Sequence, residues 1–284
     1  MFKFPTIALF LVISQVWSVP LIPQIGDEEE FITLKENNLY EPVVSKDIID
    51  LSFYGDAIYG DPDDKETAQL VASYDPEIFS VNPEELGTYL EGDILIPKRQ
   101  MITKNGITSQ SSRWPNGIVP YEIRGNFNSR DRSIIENAID EYHRLTCIRF
   151  VPRTTERDYV SIVSGNSGCW SSVGRVGGRQ EVNLQSPGCL SKRGTAMHEL
   201  MHALGFLHEQ NREERDSYVS IQYQNIQPST MNNFDKASRT LAFGVPYDYG
   251  SVMHYSSTAF STNGRPTIIA MVSLIYFVCI SNEF

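Results

Sequence analysis

Apolar and polar positions change their period several times along this 284-residue chain, and each change marks an element. Ile118-Val119-Pro120-Tyr121-Glu122-Ile123 reads as a strand. Ser129 can cap a helix whose apolar positions Ile134, Ile135, Ala138, Ile139 and Tyr142 recur at helical spacing. His143 falls just off that face and reads as an ordinary helix residue. Residues 148–151 and 159–163 are two further strands. A Gly/Ser-rich loop carrying Cys169-Trp170 follows, and then 181–184, expected as an edge strand beside a cleft. Short strands, long helices and a histidine-bearing helix beneath the sheet predict an α+β domain.

That last helix carries the chemistry. Residues 195–209 read Thr-Ala-Met-His-Glu-Leu-Met-His-Ala-Leu-Gly-Phe-Leu-His-Glu. His198 and His202 are four apart, so on a helix they stack one turn above each other and aim at one point. Such a pair suits a zinc ion, and Glu199 beside it is suited to act on a water rather than on the metal. His208 would point away if the helix continued. Gly205 can take the left-handed conformation that ends a helix, which lets His208 swing back. Three of the chain's five histidines thus fall within the stretch 198–208. Three imidazoles with one open position is a catalytic zinc set, whereas closed structural sites usually rely on cysteine.

Charge separates the front of the chain from the rest. The net charge of −11 comes from residues 19–104, with 19 acidic and 6 basic side chains, while 105–284 holds 16 and 17. No basic patch suits nucleic acid. Residues 19–104 contain several Gly-Asp and Asp-Pro turns and no cysteine, so they read as an extended or partly helical segment rather than an independent domain. Lys3, the apolar run 7–13 and Val16-Trp17-Ser18 have the form of a secretory signal over 1–18. The expectation is therefore a secreted, extracellular protein in an oxidising compartment, where its four cysteines are candidates for disulfides.

The extended histidine motif, its continuation His208-Glu209-Gln210, and Tyr247-Asp248-Tyr249-Gly250-Ser251-Val252-Met253-His254-Tyr255 together resemble the astacin family of metzincin zinc peptidases, over roughly residues 105–270. The resemblance implies a metzincin-like catalytic domain, with a twisted mixed sheet over the active-site helix and one Zn2+ per chain in a cleft between two subdomains. His198, His202 and His208 would be its ligands and Glu199 the general base. Tyr255 would stabilise the oxyanion and serve as an additional ligand in the resting enzyme, and Met253 would form an apolar floor beneath the histidines. The family also implies a Cys169–Cys189 disulfide, a partner for Cys147 in a final helix, and an N-terminal amino group buried against Glu209. Its members carry a propeptide whose F-x-G-D aspartate blocks the zinc. Leu90-Glu91-Gly92-Asp93 matches that motif except at Leu90, and Phe53-Tyr54-Gly55-Asp56 fits it letter for letter. Asp93 is preferred because it lies nearer the expected cleavage point and because 94–96 can pair as a strand. Lys98-Arg99 and Lys104 are candidate sites for a trypsin-like activating protease, with the mature chain beginning near Asn105.

After Ile269 the resemblance gives out. Residues 270–284 form a divergent hydrophobic tail in which Cys279 arrives too early to pair with Cys147 as the family does. The expected organisation is thus a signal at 1–18, an activation propeptide at 19–104, a catalytic domain at 105–269 and the tail at 270–284. The uncharged run 266–282 is at the short limit for a membrane span, so no anchor is expected. The functional expectation is a monomeric secreted zinc endopeptidase, made as a zymogen and acting on proteins or peptides. The alternative is a catalytically impaired secreted zinc-binding product, its domain lacking the C-terminal part.

Overall fold

Parallel strands made of near-continuous apolar runs can be buried on both faces, and of the strands here Tyr159–Val163 comes nearest to that rule. A computed structural model describes residues 64–96, 112–237 and 244–271. In chain order the elements are α1 (Asp64–Ala72), β1 (Ile118–Ile123), α2 (Ser129–Leu145), β2 (Arg149–Pro152), β3 (Tyr159–Val163), β4 (Cys169–Ser171), β5 (Arg179–Leu184), α3 (Arg193–Leu204), β6 (Val219–Ile221) and β7 (Ile268–Ala270), joined by short 3-10 turns. The sheet order is β2-β1-β3-β5-β4. β2, β1, β3 and β5 run parallel, and β4 pairs antiparallel to β5.

α2 and α3 pack on each other, and α3 lies against β4 and β5. The first core fills this space with Val119, Ile135, Ile139, Phe150, Ile162, Val182 and Leu200, all buried. β6 and β7 form a separate antiparallel pair over a second core that includes Ile226, Phe234, Tyr255 and Phe260. The two cores meet at the histidines: Leu200 and Ala203 of α3 belong to the first, and Tyr255, whose ring centroid is 4.5 Å from that of His208, belongs to the second.

Four local expectations change. The cap of α2 is Asn128, whose side chain accepts the Asp131 N–H at 2.9 Å, and Ser129 is the first helical residue instead. β2 is shifted one residue along, and His143 Nε2 accepts the Phe150 N–H at 3.0 Å, tying the end of α2 to that strand. Residues 181–184 are not at an edge, because β4 folds back and covers the outer side of β5. The free side of β4 is taken by the acidic front segment: Ser171 N–H donates to the Asp93 carbonyl and Leu95 N–H to the Ser171 carbonyl, both at 2.9 Å. The strand expected at 94–96 is thereby reduced to a single parallel bridge between Ile94 and Ser171.

The front segment otherwise contributes α1 and a turn at Pro83–Leu86. The signal at 1–18, Asp56, the processing sites, Asn105 and the tail beyond 271 lie outside the described residues. β7 extends the ordered chain past the boundary drawn at 269, since it ends at Ala270 and Met271 N–H donates to the Tyr218 carbonyl.

Cys169 and Cys189 form a disulfide across a sequence separation of 20, and Cys147 is exposed and free among the described residues. Replacing Cys169 and Cys189 together by alanine should lower the unfolding free energy of the oxidised chain by roughly 3 kcal/mol, read from denaturant midpoints, because the unfolded chain regains its loop entropy.

Candidate metal centre

α3 ends as the glycine demands. Gly205 has φ 115 and ψ 15, its N–H donates to the His202 carbonyl, and Phe206 N–H reaches back to the Met201 carbonyl. The chain reverses there and returns His208 to the face that carries His198 and His202. The three ring centroids are 4.7, 5.1 and 4.8 Å apart, and all three rings are buried. Trp114 Nε1 holds the last turn of the helix through the Ala203 carbonyl at 2.8 Å.

The outer nitrogens fix the tautomers. A carbonyl oxygen can only accept, so His198 Nδ1, 2.6 Å from the Val252 carbonyl, and His202 Nδ1, 2.7 Å from the Phe206 carbonyl, must each carry hydrogen. His208 Nδ1 likewise donates to Glu91 Oε2 at 2.7 Å. In their neutral forms all three rings then turn Nε2 lone pairs inward, and those of His198 and His202 face each other at 3.1 Å. Asp93 joins them, with Oδ2 2.9 Å from His198 Nε2 and 3.3 Å from His208 Nε2. Its Oδ1 lies 3.3 Å from His202 Nε2 but is not aligned for a hydrogen bond. The four ligand atoms fall within 4.8 Å of one another. Converging lone pairs beside a buried carboxylate repel unless a proton or a metal cation lies among them, and nitrogen and oxygen donors of this kind fit zinc.

Burial alone would raise Asp93, but the His208 and His202 imidazoles hold its carboxyl well below the usual carboxylate range. Glu199 is fully buried with no hydrogen-bond partner on either oxygen among the described residues, and burial, reinforced by the charges of Asp93 and Glu84, pushes it well up. Met253 is buried, its carbonyl accepting the Glu209 N–H at 2.9 Å, which fastens the turn after residue 247 to the chain just past His208. Tyr255 Oη donates to the Glu91 carbonyl at 2.6 Å, and its ring lies beside that of His208. Glu209 Oε1 accepts from Arg212 Nη1 at 2.6 Å and from Asp248 N–H at 2.8 Å. Its expected amino-group partner lies outside the described residues.

A scan of family models matches the one for the astacin peptidase family to residues 106–277, more than half of the chain. The chain belongs to the astacin family. The match runs beyond 269, into the stretch set apart above as divergent. Among curated relatives, zinc metalloproteinase nas-8 of Steinernema carpocapsae is 48% identical over 172 residues, covering 60% of this chain and 40% of its own length. Zinc metalloproteinase nas-4 of Caenorhabditis elegans is 39% identical over 216 residues, covering 71% of this chain and 68% of its own. Low choriolytic enzyme of Oryzias latipes is 44% identical over 196 residues, with 67% and 71% covered. A solved structure of high choriolytic enzyme 1, a hatching enzyme zinc-protease of the same fish, superposes with a TM-score of 0.54 at 44% identity, covering 58% of this chain and 84% of that one. The matched domain of this astacin is therefore a zinc metallopeptidase domain with a metzincin-like α+β fold, and its metal group is suited to one zinc ion.

Sequence reasoning passed over three acids. Glu84 accepts from Thr195 Oγ1 at 2.9 Å, Glu85 accepts from Ser256 N–H at 2.7 Å and from Ser256 Oγ, and Glu91 meets His208. All three are buried, yet in a segment this acidic nothing distinguishes them from solvated side chains. The one available signal was that Glu91 lies inside the Leu90–Asp93 motif.

Burial, partly opposed by the Ser256 hydrogen bonds, pushes Glu85 from 4.5 up to about 7. A raised carboxyl binds its proton more tightly in the docked state. Its contribution to docking of the front segment is therefore full below pH 4.5 and lost as pH rises through about 7. Glu85→Gln should remove that part of the pH dependence, read as a flatter plot of thermal midpoint against pH over this window.

Proposed function

We propose that the chain is a secreted, zinc-dependent endopeptidase made as a zymogen, with residues 19–104 as its propeptide and 105 onward as the enzyme. The observation that carries this reading is Asp93, a front-segment carboxylate within hydrogen-bonding distance of His198 and His208, where it would compete with a water for the ion. Gly92, at φ 90, lets the backbone pass this close, since a Cβ there would meet the Phe260 ring at 2.8 Å. Further support comes from the family match and from the names of the relatives. Among the described residues no helix is long and apolar enough to cross a membrane.

His198, His202 and His208 would hold the ion, with Asp93 on the remaining position in the zymogen. Zinc, when bound, supplies a Lewis acid that polarises a peptide carbonyl and lowers the pKa of a water towards ~7. Glu199, whose oxygens have no hydrogen-bond partner among the described residues, would take a proton from the attacking water and deliver it to the leaving amine. Tyr255 Oη donates to the developing oxyanion once the Glu91 carbonyl has left it. Docking of the propeptide thus opposes catalysis three ways: it occupies the solvent position, engages the tyrosine hydroxyl and covers the open side of β4. A trypsin-like protease cutting near Lys98-Arg99 or Lys104 would release all three, and the substrates are proteins or peptides, bound by a monomer.

Expression of residues 19–284, trypsin treatment and assay of zinc content and casein cleavage test the reading. About one zinc per chain is expected, with cleavage abolished by a chelator. Zinc without cleavage in the processed wild type would favour the impaired zinc-binding product instead. Glu199→Ala should keep the metal and lose cleavage by at least about a hundredfold, as expected for a general base; cleavage that persists removes Glu199 from that role. Asp93→Ala should cleave casein before processing. If Asp56→Ala does so and Asp93→Ala does not, the blocking residue is Asp56.

A further inference from the structure

The outer nitrogens of the three imidazoles are not satisfied alike. His198 Nδ1 donates to the Val252 carbonyl and His202 Nδ1 to the Phe206 carbonyl, so both acceptors belong to the peptidase domain and remain after processing. His208 Nδ1 donates to a carboxylate 117 residues upstream, Glu91 Oε2, which lies in the propeptide. Among the described residues no other acceptor meets that nitrogen. Glu91 is 2% exposed, and its backbone sits at φ 50, in the left-handed region that a glutamate rarely adopts. Its carbonyl is held by Tyr255 Oη, so both the main chain and the side chain of this residue are committed to the site.

We propose that Glu91 is a positioning residue for the zinc site of the unprocessed chain, its carboxylate fixing the tautomer and ring plane of His208 until the propeptide departs. The inference rests on the zymogen reading above. A carboxylate on the far nitrogen of a metal-bound imidazole raises the basicity of the ligand and holds its orientation. The unprocessed chain therefore keeps zinc more tightly than the processed enzyme for two separable reasons, Asp93 within the ligand group and Glu91 behind it. Glu84 is not equivalent: its Oε1 is 4.0 Å from His198 Nδ1, beyond hydrogen-bonding distance, and that nitrogen already has its carbonyl. The consequence is an order of events in which the metal is loaded while the propeptide is attached, and processing loosens the third histidine as it frees the tyrosine.

The test uses the full unprocessed chain and measures zinc affinity by competition with a chromophoric chelator. Glu91→Gln keeps the shape of the side chain and removes its charge, and should weaken zinc binding by about ten- to a hundredfold, with Glu91→Ala at least as weak. Glu85→Gln, which breaks a buried propeptide contact away from the histidines, should leave affinity unchanged. The cobalt-substituted unprocessed chain should show a shifted visible spectrum in Glu91→Gln and not in Glu85→Gln. After processing, wild type and Glu91→Gln yield the same polypeptide, so equal affinity and equal cleavage there establish that the variant chain folded. Wild-type zinc affinity in both Glu91 variants overturns the proposal, as does an equal loss in Glu85→Gln, which would mean that any loosening of the propeptide suffices. A wild-type chain that takes up no zinc overturns the peptidase reading and this inference with it, an outcome distinct from the other two.

Discussion

Three inward-facing imidazole nitrogens and a carboxylate, buried together, need a metal cation or shared protons among them, and both cores of the molecule help to hold that arrangement. α3 supplies two imidazoles on one face, and the left-handed glycine supplies the return path for the third. The turn that ends in Tyr255 gives His198 its outer acceptor through the Val252 carbonyl and fastens Glu209 through the Met253 carbonyl. The sheet acts at one remove. It packs α3 rigidly from behind, and its edge strand β4 fixes the approach of the chain that brings in Asp93.

That approach shows how a weakly apolar segment can dock. Residues 84–94 bury Glu84, Glu85, Glu91 and Asp93, four acids whose desolvation opposes binding. Each has a specific compensation: Thr195 for Glu84, Ser256 for Glu85, His208 for Glu91 and the histidine cluster for Asp93. Glu199 has none, and its raised protonation follows from sharing a dry pocket with Asp93 and Glu84. On the proposed zymogen reading, removing the segment would take away those neighbouring charges and admit water to Glu199 at the same time.

The backbone contributes as much as the side chains. Pairing of residues 93–95 with Ser171 fixes the backbone on either side of Ile94 and so holds Asp93 against the histidines. The left-handed residues Glu91 and Gly92 make the turn that presents Asp93, and a Cβ at position 92 would press on the Phe260 ring. The cost of that strained turn is offset by the hydrogen bond from Tyr255 and by the ring contact between Tyr89 and Trp170.

How much of this was legible along the chain depends on how local the cause is. Helical spacing in α2, the stacked histidines, and a glycine needed to reverse the helix are consequences of nearest-neighbour geometry, and they can be read directly from residues 129–145 and 198–208. Neither the position of β4 outside β5 nor the docking of the front segment on that edge has a local signature, because strand order is set by which surfaces remain to be covered once the helices have packed. The same holds for Glu84, Glu85 and Glu91. An acid in an acidic stretch looks solvated until a distant histidine or serine is brought against it. The sequence by itself determined the donor set, the family and the kind of metal, since these depend on residue type and short spacing. Only the tertiary structure decided which carboxylate faces the ligands, which tyrosine contact precedes catalysis and which outer acceptor leaves with the front segment, since each joins residues more than a hundred positions apart.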